Sequence, residues 1–126
     1  MKNLLILKTI PILLNKLYQP IIRNGRPSII KNKKAKEFIQ LVQMEAIRQK
    51  IKKIDGEVSF KCDVLIKDRK NYDIDSVIKL LFDSLNGIAY KDDKFIVELI
   101  VRKHTNAEFD GLNILIEEVD NEQNLH

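Results

Sequence analysis

Between residues 73 and 93 the chain carries Asp73, Asp75, Asp83, Asp92 and Asp93, with Lys79 among them. Carboxylates gathered at one point repel one another strongly unless a cation lies between them. Hard oxygen donors suit Mg²⁺, which keeps several waters and takes few protein carboxylates plus substrate phosphate. Such an ion can polarise an oxygen of that phosphate. A plainer account fits the same residues. An Asp N-cap with a Lys at i,i+4 is a routine surface pair, and Asp-Asp is a common turn.

The elements around these residues decide whether they can meet. From Asp75 onward the apolar residues are Val77, Ile78, Leu81, Phe82 and Leu85, one stripe of an amphipathic helix. Asp75 is expected as its N-cap, and Gly87 as the left-handed residue that ends it. Asp75, Lys79, Asp83 and Asn86 line its polar face, and Asp73 lies just before it. After Asn86-Gly87 a short loop leads through Asp92-Asp93 into the apolar run Phe95 to Val101. A tight reversal after a helix of about three turns returns the next strand alongside it. On that reading Asp92 and Asp93 approach Asp73 and Asp75, with Lys79 one turn along.

In order, the motif is Asp73-x-Asp75, Lys79, Phe82-Asp83-Ser84-Leu85-Asn86-Gly87, then Asp92-Asp93 before a strand. It resembles the RusA family of Holliday junction resolvases. The likeness is close over residues 65–103 and reaches the N-terminus thinly through Pro11, Asn15 and Tyr18. It implies a small α/β (α+β) fold, a homodimer, and endonucleolytic resolution of four-way or otherwise branched DNA. It also implies that Asp73, Asp75 and Asp93 hold Mg²⁺, with Mn²⁺ as the substitute ion. Asp93 matches the family's catalytic position, Asp92 assists it, and Lys79 is the catalytic cation, while Asp83 matches no catalytic role. Two departures stand out. Family members often show D-x-D-N where this chain has Asp75-Ser76, and the basic run before the first Asp is diluted to Arg69-Lys70-Asn71-Tyr72.

Charge is divided along the chain. Residues 1–72 carry 17 Lys and Arg against 6 Asp and Glu; residues 73–126 carry 5 against 12, so +11 and −7 make the net +4. A basic half beside an acidic cluster suits an enzyme acting on a polyanion, although lysine richness alone favours nucleic acid only modestly. The cations expected at a phosphate backbone are Lys16, Arg23, Arg26, Lys31, Lys33, Lys34, Lys36, Arg69 and Lys70. Tyr72 is added as a residue that stacks on a base or wedges at a crossover. A solvated surface hairpin explains the basic residues of the turn-rich segment 15–32 equally well.

The other segments read simply. Leu4 to Lys8 is a buried strand ending at Thr9-Ile10-Pro11, too short to span a membrane. Residues 33–53 form the longest helix, with lysines crowding its start against the helix dipole. Residues 57–66 alternate as a half-buried strand, with Val58, Phe60, Cys62, Val64 and Ile66 on one side. Residues 94–103 and 112–119 are strands, and 121–126 a loose tail. Cys62 is the only cysteine, so no disulfide framework exists and a reducing cytoplasm fits. The two histidines, His104 and His126, offer no zinc spacing. The expectation is one domain with a mixed sheet flanked by helices. Two other functions remain open: a DNA-binding module of the same fold without nuclease activity, and a metal-dependent phosphoesterase acting on RNA or small molecules.

Overall fold

In the computed structural model, which describes residues 1–11, 18–23, 26–31, 33–68 and 72–120, the alternating run at 57–66 becomes the centre of a sheet. The elements are β1 (Lys2–Leu7), β2 (Tyr18–Arg23), β3 (Arg26–Lys31), α1 (Lys33–Arg48), β4 (Val58–Ile66), α2 (Ile74–Leu85), a single 3₁₀ turn (Asp93–Phe95), β5 (Ile96–Thr105) and β6 (Gly111–Glu118). The main sheet has the order β1-β6-β4-β5, with β2 and β3 forming a separate hairpin. β6 runs antiparallel to both β1 and β4, whereas β4 and β5 are parallel. This is an α+β fold with a mixed four-stranded sheet. Residues 15–32 were read as a turn-rich segment that a surface hairpin would explain equally well; within it Tyr18–Arg23 and Arg26–Lys31 pair antiparallel. The expected tail at 121–126 lies outside the described residues.

Period-two burial sets the layers. Val58, Phe60, Cys62, Val64 and Ile66 of β4 are buried, joined by Leu112, Ile114 and Ile116 of β6 and by Leu5 and Leu7 of β1. Onto this face α1 sets Ala35, Phe38, Val42 and Ala46, and α2 sets Val77, Ile78, Leu80, Leu81 and Leu85. Phe82 meets Phe60 edge to face, with ring centroids 5.2 Å apart. Each fully buried aliphatic or aromatic side chain stabilises by roughly 1.5–3 kcal/mol, against a few tenths for an exposed i,i+4 ion pair. Packing therefore decides where α2 lies, and Asp75 and Lys79 on its charged face are exposed.

α1 is shorter than the expected 33–53. Lys50 adopts φ 60°, and the backbone beyond it is used elsewhere. The Lys52 N–H donates to Asn3 Oδ1 at 3.1 Å, its carbonyl accepts from Asn3 Nδ2 at 2.7 Å, and Ile54 bridges to Tyr90. Burial pushes the Cys62 thiol up to about 12, which makes it a packing group and not a nucleophile. Among the described residues no helix is long and apolar enough to cross a membrane.

Candidate functional site

The start of α2 is built on Asp73. This residue, not the expected Asp75, is the N-cap: it has extended backbone, and its Oδ1 accepts from the Asp75 N–H at 3.0 Å. Its Oδ2 accepts from the Ser76 hydroxyl at 3.2 Å. Helical backbone thus begins one residue before Asp75, because the carboxylate two residues upstream reaches the orphan N–H. Asp75 lies in the first turn, where the helix dipole favours negative charge. Ser76, noted in sequence only as a departure from the family pattern, braces one of the carboxylates. Lys79 follows one turn along and is exposed.

Tyr72 corrects an expectation. Its ring is 7% exposed, its hydroxyl donates to the Pro11 carbonyl, and burial, then the charge of Asp110, pushes its pKa well above that of an ordinary tyrosine. A ring held this way anchors the approach to Asp73 and presents no face to a base. Its carbonyl accepts from Lys103 Nζ at 3.4 Å, tying it to the far end of β5.

The other end of α2 gathers a second acidic group. Asn86 caps the helix, Gly87 turns at φ 80°, and the Gly87 N–H donates to the Tyr90 carbonyl at 2.7 Å. Tyr90 is wholly buried, and its hydroxyl has no hydrogen-bond partner among the described residues. Burial, then the charges of Asp93, Asp83 and Asp92, pushes that phenol above its usual range. Asp92 caps the 3₁₀ turn, its Oδ1 accepting from the Lys94 N–H at 3.2 Å. That bond, with one from Asp93, holds the Asp92 carboxyl below the usual carboxylate range. Asp93 goes the other way: partial burial raises its carboxyl, and so do the hydrogen bond and charge of Asp92, while Asn86 offsets them.

These two ends do not meet within one chain. α2 has 12 residues, about 18 Å at 1.5 Å per residue. β5 then runs parallel to β4, Val58 opposite Ile96 and Ile66 opposite Thr105. Asp73 and Asp75 follow the C-terminal end of β4, whereas Asp92 and Asp93 precede the N-terminal end of β5. The reversal after α2 does bring β5 back alongside, but it is the strand's finish, not its start, that lies beside Asp73. The expected intrachain approach is thereby corrected. Among the described residues no three His, Cys, Asp or Glu side chains gather as a metal cage.

Of the expected phosphate contacts, Lys33, Lys34 and Lys36 are exposed at the start of α1, where no acidic residue occupies the first turn. Arg23 of β2 is the register partner of Arg26 of β3, and Lys31 ends β3 just before those lysines. Lys16, Arg69 and Lys70 lie outside the described residues.

Comparison with curated proteins finds no match. A protein-family model described as Endodeoxyribonuclease RusA matches residues 17–117, a span that holds both helices, both acidic groups and the basic hairpin. A match over most of the chain, on an α+β fold of the expected kind, makes this protein a member of the RusA endodeoxyribonuclease family.

Proposed function

We propose that this protein is a Mg²⁺-dependent endonuclease that resolves four-way DNA junctions by paired symmetric nicks, and that it works as a homodimer. The observation that carries the reading is the family match, which encloses the ordered set Asp73, Asp75, Lys79, Asp92 and Asp93. RusA proteins act on branched DNA, and a two-fold enzyme matches the pairing of two strands cut at a crossover.

Asp73 and Asp75 are exposed, two residues apart at one helix start, and fit an ion that takes few protein carboxylates beside substrate phosphate. Mn²⁺ is the substitute ion. The ion would polarise the scissile phosphoryl group and lower the pKa of a water. Asp73 has both oxygens oriented before any ion arrives, by the Asp75 N–H and the Ser76 hydroxyl. Lys79 stands one turn on, placed to offset charge developing on phosphate oxygens. Asp93, raised by partial burial and by Asp92, has the most to gain from a cation. Because one chain holds Asp93 at the opposite end of α2, its share in this site requires a second copy. Arg23, Arg26, Lys31 and the lysines of α1 supply the grip on phosphate.

Asp73 and Asp92 are both helix caps, which favours a second reading: a DNA-binding module whose carboxylates are purely structural. A synthetic four-way junction incubated with wild type and with Asp75→Asn, with and without Mg²⁺, separates the two. The nuclease requires paired symmetric nicks from wild type in Mg²⁺, and binding without cutting from the variant. Junction binding without cutting by wild type leaves the structural reading. Equal action on linear duplex or RNA points to a different phosphoesterase.

A further inference from the structure

Two tyrosines are buried in this fold, and they differ at the hydroxyl. Tyr72 donates to the Pro11 carbonyl. Tyr90 is wholly buried, and its hydroxyl is the one buried side-chain polar group among the described residues without a hydrogen-bond partner. Its backbone is held from two sides. The Tyr90 carbonyl accepts from the Gly87 N–H at 2.7 Å, and the Ala89 carbonyl beside it accepts from the Ile54 N–H at 2.9 Å. Bridges to Ile54 and Asn86 flank the residue. A buried ring on so fixed a backbone does not turn its hydroxyl out to water. A buried donor without a partner keeps its full desolvation cost, and phenylalanine would fill the same core volume without it.

The surroundings of that hydroxyl are acidic. Asp93, Asp83 and Asp92, in that order, lie near enough for their charge to act on the phenol. A phenol is protonated at neutral pH, so it meets these carboxylates as a donor. Asp93, the foremost of the three, is hydrogen-bonded to Asp92 and Asn86 instead.

We propose that Tyr90 is a positioning residue for Asp93: when a divalent cation draws the Asp93 carboxylate into ligation, the Tyr90 hydroxyl donates to that carboxylate and fixes its orientation. The inference rests on the Mg²⁺-dependent reading above and names the group that steadies its third carboxylate. One bond satisfies the buried donor and aims the ligand. Ligating carboxylates are commonly held by hydrogen bonds from behind, and loss of such a partner weakens metal affinity or activity by about 10–100-fold.

The test is Tyr90→Phe, which deletes the hydroxyl and keeps the ring. Mn²⁺ binding to the full chain without DNA, followed by electron paramagnetic resonance of the free ion, should weaken by about tenfold or more. In nicking of a four-way junction, the Mg²⁺ concentration for half-maximal cutting should rise by a similar factor, while the KM for DNA stays unchanged. Stability in EDTA should move the other way: the variant should melt at or above the wild-type temperature, because it loses an unpaired buried donor. Tyrosine labelled with ¹³C at Cζ gives a further readout. The Tyr90 resonance, identified by its absence from the variant, should shift on addition of Mg²⁺ to wild type and stay still in Asp93→Asn.

Unchanged Mn²⁺ affinity in Tyr90→Phe, or a Tyr90 resonance that ignores Mg²⁺ in wild type, overturns the inference. So does a variant that melts well below wild type in EDTA, or a resonance that shifts equally in Asp93→Asn. A wild type that binds no Mn²⁺ overturns this inference and the nuclease together. Mn²⁺ binding that depends on Tyr90 as stated, in a protein that cuts no junction, keeps the inference and sinks the nuclease. Junction cutting with Mn²⁺ binding indifferent to Tyr90→Phe does the reverse.

Discussion

Asp73 carries two duties that substitution can separate. As an N-cap it satisfies the Asp75 N–H; as a carboxylate it is a proposed ligand. Asparagine caps as well as aspartate but ligates a cation poorly, while alanine does neither. Asp73→Asn should therefore keep its melting temperature and lose cleavage. Asp73→Ala should lose cleavage and about 1 kcal/mol of stability as well, measured by urea unfolding. If both variants cleave normally, the cap is the whole of its role. Asp92 and Asp93 make a second separable pair. Their shifts are opposite in sign, so carbon-detected NMR should show one carboxyl titrating below the ordinary aspartate value and one above it. The stabilisation from Asp92 is present above the ordinary value and fades as pH falls through its lowered pKa. That from protonation of Asp93 is present below the ordinary value and is lost as pH rises through its raised pKa. Asp92→Asn should bring Asp93 part of the way down, not fully, because burial is the larger cause.

The helix α2 sets the spacing of these groups, and its ends are fixed by unlike chemistry. A side chain caps the start; a left-handed glycine releases the finish. Gly87 at φ 80° has open space around its missing Cβ, so Gly87→Ala meets no clash and feels only the backbone penalty. That substitution should cost about 1 kcal/mol in urea unfolding, and more of the loss should appear as disorder at Asp92–Asp93 than at Asp73. At the β1 edge of the sheet, Gln49→Ala leaves the Ile6 N–H and carbonyl without their partner and should cost about 1 kcal/mol.

Two copies decide whether the acidic groups act together. If the site is shared, Asp75→Asn and Asp93→Asn should each be inactive alone, and mixing them after brief unfolding and refolding should regain nicking. In a mixed dimer one site carries both substitutions and the other carries neither. Random reassortment makes half the dimers mixed, so recovery should approach about a quarter of wild-type nicking, as single rather than paired cuts. No recovery means that each site is complete within its own chain. Local order was legible in the sequence because it depends on neighbours: the apolar stripe of α2, the alternation of β4 and the stop at Gly87 all form as read. The N-cap was misplaced by two residues because Asp73 and Asp75 are chemically equal, and only the backbone selects between them. Tyr72 was misjudged because an aromatic in a polar stretch gives no local sign that Pro11, 61 positions away, receives its hydroxyl. The acidic residues and their order are likewise written in the chain. Their meeting is not, since it depends on the direction of β5. Parallel pairing with β4, set by long-range packing, puts a helix length between Asp75 and Asp93 within one chain.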